Sequence, residues 1–328
     1  MEYRTLGKAG FEVSALGFGC GSVGGLLVRG ERKAMIDTVA RAIELGITYF
    51  DTAPRYGDGT SEINLGIALK EIGADVRIGT KVNLSVSDLE NIEQTVTESV
   101  NASLKRLGKE SVDLIQLHSR IDRDSRKEGR WVGLEELQSV IQAFRSLKAQ
   151  GKIGCCGITG LGDTEALHQA VDSKTIDTIQ ICYNLLNPSA GIRTPDGFPF
   201  QDYRQLIDRA SMAQMGILAI RILAAGALSD TSDRHPVAQQ SVAPIASSQD
   251  FDRDVERSKT YKFLIDDGYA SSMAEAAVRF VISKSEISTA LIGISSIEQL
   301  EQAVGYANKG SLPIEALDRL KSGSGPGH

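Results

Sequence analysis

The chain has 328 residues, 41% of them hydrophobic, which is enough to bury a large core and is an ordinary length for one α/β barrel. Its 36 basic and 42 acidic residues are interspersed and leave a net charge of −6, so nothing in the charge favours nucleic acid or an anionic membrane as a partner. Met1, Glu2, Tyr3 and Arg4 open no apolar signal segment, and no apolar run approaches membrane-spanning length, so a cytoplasmic protein is expected. Cys20, Cys155, Cys156 and Cys182 sit in apolar, strand-like runs without CxxC or Cys/His ligand spacing. Buried free thiols in a reducing compartment are expected, and no metal site.

Taken in order, short apolar β-branched runs alternate with longer amphipathic stretches. A strand over residues 13–20 leads to a helix over 32–45 that stops at Gly46. A strand over 47–52 leads to a helix over 61–70, and a strand over 76–82 to a long helix over 88–107 stopped by Gly108. Next come a strand over 112–118, a helix over 134–150, a strand over 153–159 and a helix over 164–171. The series continues with a strand over 178–185, a helix over 202–215 and a strand over 217–223. It ends with a helix over 273–283, a strand over 289–294 and a helix over 297–307. Helix ends fall near Gly, Ser, Asp or Asn, as stop signals require.

Repeated strand–helix units with right-handed crossovers demand a parallel sheet. An uninterrupted series of eight favours closure into a (β/α)8 TIM barrel spanning 1–328 as one domain, with an open doubly wound sheet as the runner-up. Tyr3-Arg4-Thr5 and Glu12-Val13-Ser14 flank the turn Gly7-Lys8-Ala9-Gly10, which predicts an N-terminal β-hairpin capping the barrel floor. Two connections, 186–201 and 224–258, are long and aperiodic, and both follow strands, which places them on the C-terminal face as functional loops. Residues 322–328 are Gly/Ser-rich, and a flexible tail is expected there.

Gly19, Gly21 and Gly24 match GxGxxG after a strand, with Asp51 ending the next strand. A Rossmann site needs a helix opening at the third glycine so that its N-terminus meets a pyrophosphate. Here a convincing helix starts only near Arg32, so the glycines better suit a loop passing close to a ligand.

The polar residues at the C-terminal ends of adjacent strands are more informative. Asp51 ends the second strand and Tyr56 follows in its loop; Lys81 ends the third strand and His118 the fourth. Singly, each has an ordinary reading: a turn cap, a packed ring, a surface charge, a hydrogen-bonded core histidine. Together they strain those readings, because Lys and Asp at barrel strand ends are costly to bury unless paired. A phenol with an ordinary pKa of about 10 is a poor acid at neutral pH. A neighbouring ammonium is expected to lower that value, and a carboxylate to hold the ammonium. The phenol then protonates a carbonyl oxygen while the imidazole polarises it. No residue attacks covalently, so a cofactor must supply the hydride.

These motifs resemble the aldo-keto reductase superfamily over nearly the whole chain. The matching residues are Gly17-Phe18-Gly19, Phe50-Asp51 through Tyr56-Gly57, Ser61-Glu62 with Leu65-Gly66, and Thr80-Lys81-Val82. Val112-Asp113-Leu114 with Leu117-His118, Gln180 with Tyr183-Asn184, and Ile292-Gly293 with Ser296 and Glu298-Gln299 complete the set. The resemblance implies a (β/α)8 barrel, use of NADP(H) or NAD(H), and a catalytic tetrad on Asp51, Tyr56, Lys81 and His118. It also implies cofactor contacts from Gly19, Thr159, Gln180, Leu223, Gly293, Ser295, Ser296 and Gln299. Gln180 matches the residue that hydrogen-bonds the nicotinamide amide, while Thr159-Gly160 stands where a Ser-Asn pair is common. The aromatic residue often found at the seventh strand is replaced in Ala219-Ile220-Arg221-Ile222-Leu223, and Arg221 reaches either the pyrophosphate or the active-site mouth. Residues 291–308 contain no Arg or Lys, so the cationic clamp on a 2′-phosphate typical of NADPH-dependent members is missing there. NADPH is favoured by family frequency and NADH by the missing Arg. The run Ile158 to Leu161 hints at the L-galactose dehydrogenase-like and aldose dehydrogenase-like branch.

The expected function is interconversion of carbonyls and alcohols on an aldehyde, ketone or sugar, by a monomer or small homo-oligomer. A pocket is expected from residues 22–28, the loop 119–131 with Trp131, and the two long loops. The alternative is a nucleotide-binding regulatory subunit of the same fold, as in ion-channel β-subunits of the superfamily, which the intact tetrad disfavours.

Overall fold

A computed structural model describes residues 1–123, 129, 131–231 and 233–321. Eight parallel strands close into a barrel in sequence order. They are β1 (Leu16–Gly19), β2 (Tyr49–Asp51), β3 (Arg77–Val82), β4 (Val112–Leu117), β5 (Ile153–Gly160), β6 (Thr178–Cys182), β7 (Gly216–Ile220) and β8 (Thr289–Gly293). Strand β8 pairs back onto β1 through Gly293↔Gly19. The outer layer is α1 (Arg32–Glu44), α2 (Thr60–Ile72), α3 (Ile92–Leu107), α4 (Leu134–Ala149), α5 (Thr164–Asp172), α6 (Leu206–Met212), α7 (Met273–Ile282) and α8 (Ile297–Asn308). Closure removes the open-sheet alternative, and with it the Rossmann reading of Gly19, Gly21 and Gly24.

Strand alternation sorts the side chains into two environments. Phe18, Phe50, Ile78, Ile115, Ile158 and Ile179 face outward and belong to the large core beneath the helices. Tyr49, Leu114, Cys155, Leu218 and Leu291 form a separate interior cluster, joined by Leu6 and Val13. The last two come from the hairpin of Tyr3–Thr5 and Glu12–Ser14, which pairs antiparallel and closes the floor as predicted. Tyr49 lies across the interior only because its neighbour is bare: a Cβ at Gly79 would sit 2.0 Å from the Tyr49 hydroxyl. All four cysteines are buried and free.

Several boundaries differ from the sequence expectation, each for a local reason. The run 13–20 splits at Ala15, where the Ser14 hydroxyl donates to the Leu16 carbonyl and Val13 turns into the floor cluster. Helix α6 begins late because Arg204 and Gln205 take left-handed φ values of 48° and 56°. The stretch before α3 is a 3-10 turn, Val86–Glu90, closed by a capping box between Ser85 and Asp88. The loop 224–258 ends in a helix, Phe251–Ser258, capped by the Asp250 carboxylate, which accepts from Arg253 N at 2.8 Å. Its few apolar residues hide it from a periodicity count. A four-residue helix, Leu26–Arg29, follows Gly25, and Ile314–Lys321 adds a C-terminal helix. The tail 322–328, and loop residues 124–128, 130 and 232, lie outside the described residues. Among the described residues no helix is long and apolar enough to cross a membrane, and no side-chain group could hold a metal ion.

Buried Glu275 ties α7 to the end of α8. It accepts from Lys309 Nζ at 2.6 Å, Arg279 Nη1 at 2.9 Å, and the Ser271 hydroxyl and amide at 2.5 and 3.2 Å. Burial pushes the carboxyl up, but these donors outweigh it and hold the pKa at about 2. The folded value lies below the ordinary value of about 4.3, so this stabilisation is full above that pH and fades as pH falls toward about 2. Glu275→Gln should therefore destabilise by on the order of 2 kcal/mol near neutral pH. Melting curves at several pH values should show the gap to wild type closing in acid. A gap as wide at about pH 2.5 as at neutrality would contradict the assignment.

Candidate active site

Two left-handed glycines and Asp58 carry the chain from the top of β2 into α2: Gly57 has φ 63°, Asp58 48° and Gly59 89°. This bend places Tyr56 over the barrel mouth. It is anchored from α2, where Ser61 N donates to the Tyr56 carbonyl at 3.1 Å and the Ser61 hydroxyl donates to Cys20 O at 2.9 Å. The fully buried Glu62 carboxylate accepts from the Thr80 hydroxyl and from Arg106 Nε, both at 2.6 Å. The Ser61-Glu62 motif thus locks the Tyr56 loop to β3 and α3.

The four residues singled out at the strand ends converge. Lys81, 0% exposed, donates to Asp51 Oδ2 at 2.5 Å, to the Thr52 carbonyl at 2.8 Å and to the Tyr56 hydroxyl oxygen at 3.2 Å. All three ammonium protons are therefore committed. Asp51 Oδ1 accepts from Gln180 Nε2 at 2.7 Å and from the Tyr49 hydroxyl at 3.4 Å. The His118 ring stands edge-on to the Tyr56 ring, with centroids 5.8 Å apart, and its backbone N–H donates to the Val82 carbonyl at 2.7 Å.

The electrostatics correct one expectation. Burial pushes the Tyr56 phenol above its ordinary value, and the pull of the Lys81 ammonium only partly offsets this. Burial likewise raises Asp51 against Lys81. Burial opposes the charge on Lys81, but Asp51 and Tyr56 overcome it and hold the ammonium above the ordinary lysine value. The phenol is thus firmly protonated at neutral pH, the state a proton donor needs, while the lysine charge beside it is secure.

The other expected site residues form two groups. Thr159 and Gln180 are direct partners in the β5–β6 register; the buried Thr159 hydroxyl meets no hydrogen-bond partner among the described residues, and Gln180 leans on Asp51. Gly19, Gly293, Ser295, Ser296 and Gln299 gather where β1 and β8 meet. There the Ser295 hydroxyl donates to Gly24 O at 2.7 Å, Gln299 Oε1 accepts from Ser295 N at 3.1 Å, and the Ser296 hydroxyl caps α8. A Cβ at Gly24 would lie 2.4 Å from Ile294 N, which explains the glycine better than phosphate binding does. Arg221 and Leu223 lie on the loop after β7. Sequence reasoning missed Tyr49 beneath Asp51, Arg106 behind Glu62, and Asn83. Both side-chain polar atoms of Asn83 are buried without a partner among the described residues. Its position two residues beyond Lys81 was the available signal.

A family model described as "Aldo/keto reductase family" matches residues 15–324. The chain belongs to that family. This aldo-keto reductase is 28% identical to L-galactose dehydrogenase from Arabidopsis thaliana over 93% of the chain and 87% of the relative. It is 26% identical to pyridoxal 4-dehydrogenase from Microbacterium luteolum, over 98% and 97% of the two chains. The structure of the holo form of the aldo-keto reductase AKR11C1 from Bacillus halodurans matches with a TM-score of 0.70 and 23% identity, covering 98% and 96%. Aldo-keto reductases are oxidoreductases that generally use NAD(P)(H). The structure fits such a cofactor in one respect: the unpartnered Thr159 hydroxyl beside the Gln180 amide offers complementary groups for a carboxamide.

Arg106→Met should destabilise the protein by on the order of 3 kcal/mol, because it leaves the buried Glu62 carboxylate without its cation. Chemical denaturation is the measurement. A loss below about 1 kcal/mol would mean that the Thr80 hydroxyl alone satisfies Glu62.

Proposed function

We propose that this protein interconverts a carbonyl and an alcohol on a small aldehyde, ketone or sugar, using NAD(H) or NADP(H), with Tyr56 as general acid and base. The observation that carries this reading is the Tyr56 hydroxyl oxygen accepting a hydrogen bond from Lys81, itself fixed on Asp51. Because that oxygen accepts from Lys81, its own proton is free to point away from the lysine, toward a substrate oxygen. As the proton leaves, the ammonium stabilises the phenolate left behind. In the oxidative direction the same phenolate takes the proton of the alcohol. His118 stands across the Tyr56 ring and orients the substrate oxygen. The nicotinamide, when bound, supplies or accepts the hydride. Thr159 and Gln180 would hold its carboxamide, with Gly19, Leu223, Gly293 and the Ser295–Gln299 turn toward the rest of the dinucleotide. Two relatives matched over most of their length carry dehydrogenase names, which supports a sugar or alcohol substrate over a purely reductive role.

Tyr56→Phe should lower kcat by roughly 10²–10⁴-fold, the usual worth of a positioned acid, with the fold and dinucleotide binding intact. Steady-state turnover with reduced nicotinamide and an aldehyde, beside a melting curve, is the check. Near-normal turnover by Tyr56→Phe would remove the phenol from the chemistry.

Dinucleotide preference follows from the β8–α8 turn. Its hydroxyls and amide are engaged within the chain, and residues 291–308 hold no cation. The Kd values for NADPH and NADH should therefore lie within about tenfold of each other, or about 1.4 kcal/mol. Titrations by nicotinamide fluorescence decide this, and a preference for NADPH of about a hundredfold, about 2.7 kcal/mol, would place a phosphate site elsewhere.

A further inference from the structure

The ladder between β3 and β4 pairs Lys81 with Gln116 and Val82 with Leu117. Past Leu117 it continues through one more bond, from His118 N–H to the Val82 carbonyl at 2.7 Å. Asn83 is therefore the register neighbour of His118, about 4.8 Å away across the two strands. Its flanks set the direction in which it faces. Val82 and Leu84 both belong to the core beneath the helices, so Asn83 points the other way, to the face that carries Lys81. Its flanks also hold it still. Leu84 is clamped by the buried Ser119 hydroxyl, which accepts from Leu84 N–H at 2.8 Å and donates to the Leu84 carbonyl at 3.1 Å.

At this fixed position the side-chain amide takes no part in the network around it. Nδ2 and Oδ1 are both buried, and neither meets a partner among the described residues. The hydroxyls nearest along the chain and across the ladder are already engaged: Ser119 with Leu84, and Ser85 with the Asp88 carboxylate, to which it donates at 2.6 Å. An amide stripped of water and left unpaired is unfavourable, so packing alone would select an apolar residue of this size. A ligand that fills both halves of the amide removes the penalty.

We propose that Asn83 is a specificity-determining residue that binds a hydroxyl on the carbon next to the reacting carbonyl, making 2-hydroxy aldehydes and ketones the preferred substrate class. This rests on the oxidoreductase reading above. There the carbonyl oxygen is shared by Tyr56 and His118, and Asn83, one strand spacing from His118, meets the part of the substrate beside that oxygen. The chemistry of the amide selects the group. A carboxylate only accepts and would leave Oδ1 stranded, an ammonium only donates and would leave Nδ2 stranded, and a hydroxyl does both. The dinucleotide is the poorer source of the partner, because its expected contacts come from β1, β5, β6, β8 and the loop after β7, and none from β3 or β4.

The test compares glyceraldehyde with propionaldehyde, which share a three-carbon aldehyde chain and differ in two hydroxyls. Turnover is measured with NADH and with NADPH in wild type, Asn83→Leu and Asn83→Ser, beside melting curves and dinucleotide titrations. Wild type should prefer glyceraldehyde by at least tenfold in kcat/KM. Asn83→Leu should lower that ratio at least tenfold, and Asn83→Ser, which keeps a donor and an acceptor, should restore part of it. Comparing the ratio between proteins cancels the difference in intrinsic reactivity of the two aldehydes. A wild-type ratio near one, or a ratio unchanged in Asn83→Leu, overturns the proposal. So does an equal loss on both aldehydes, which would make the amide a brace for His118. A tenfold loss of dinucleotide affinity with the ratio intact also overturns it and assigns the amide to the cofactor. If Asn83→Leu does not fold, Asn83→Ala takes its place in each comparison. Should wild type turn over neither aldehyde, the oxidoreductase reading fails, and ligand-detected NMR with glycerol and 1-propanol still judges the hydroxyl site. Glycerol contact seen in wild type and lost in Asn83→Leu supports it, and equal or absent contact overturns it.

Discussion

An ammonium group buried inside a barrel is tolerable only if each of its protons finds an acceptor and its charge finds a partner. Lys81 meets both conditions through Asp51, the Thr52 carbonyl and Tyr56. Asp51 is saturated in turn, by Lys81 on one oxygen and by Gln180 and Tyr49 on the other. The pair therefore braces the barrel across its mouth: β2 supplies the carboxylate, β3 the amine, and β6, from the other side, the amide. Buried ion pairs add little net stability compared with apolar packing, yet losing one partner strands the other. Such an arrangement is best understood by what it does to Tyr56, namely hold a fixed positive charge beside a neutral phenol.

The interior below that pair is graded. The floor is apolar, sealed by Leu6 and Val13 from the hairpin and by the Tyr49 ring. The layer above contains Gln116 and Thr178, with the Gln116 Nε2–Thr178 Oγ1 contact at 3.5 Å. The ionic layer comes last, at the C-terminal rim. Low polarity beneath the charges keeps them from being screened, so each electrostatic interaction at the rim is stronger than it would be in water. Gly79 is part of this design, because a side chain there would expel Tyr49 and open the space beneath Asp51.

Much of this was legible from residue order alone. The alternation of apolar runs identified every barrel strand, since outward residues such as Phe18, Phe50 and Ile78 must be buried beneath helices. The convergence of Asp51, Tyr56, Lys81 and His118 followed from their shared place at strand ends. What stayed hidden depends on contacts between distant residues or on backbone conformation. Arg106 sits mid-helix among other charges, and nothing local reveals that it meets Glu62. The late start of α6 depends on left-handed Arg204 and Gln205, residue types that rarely signal that conformation. The helix Phe251–Ser258 buries few apolar side chains, so its cap at Asp250 is a better marker than its periodicity. The direction of the Tyr56 shift was also beyond sequence, because it turns on how completely the phenol is desolvated.

The polar groups around the mouth fall into two thermodynamic classes. Ser295, Ser296 and Gln299 already make hydrogen bonds within the chain, so a ligand that uses them must first displace those bonds and gains only the difference. Thr159 and Asn83 are the opposite case, with buried polar atoms that meet no partner among the described residues. For these, the cost of desolvation is already incurred in folding, and a ligand that supplies the missing partner recovers it. Discrimination at the mouth should thus be sharp where the chain leaves atoms unsatisfied, along β3 and β5, and weak where the chain satisfies itself, at β8. A substrate lacking the matching polar group would leave those atoms stranded, which is the usual physical basis of selectivity at a buried polar site.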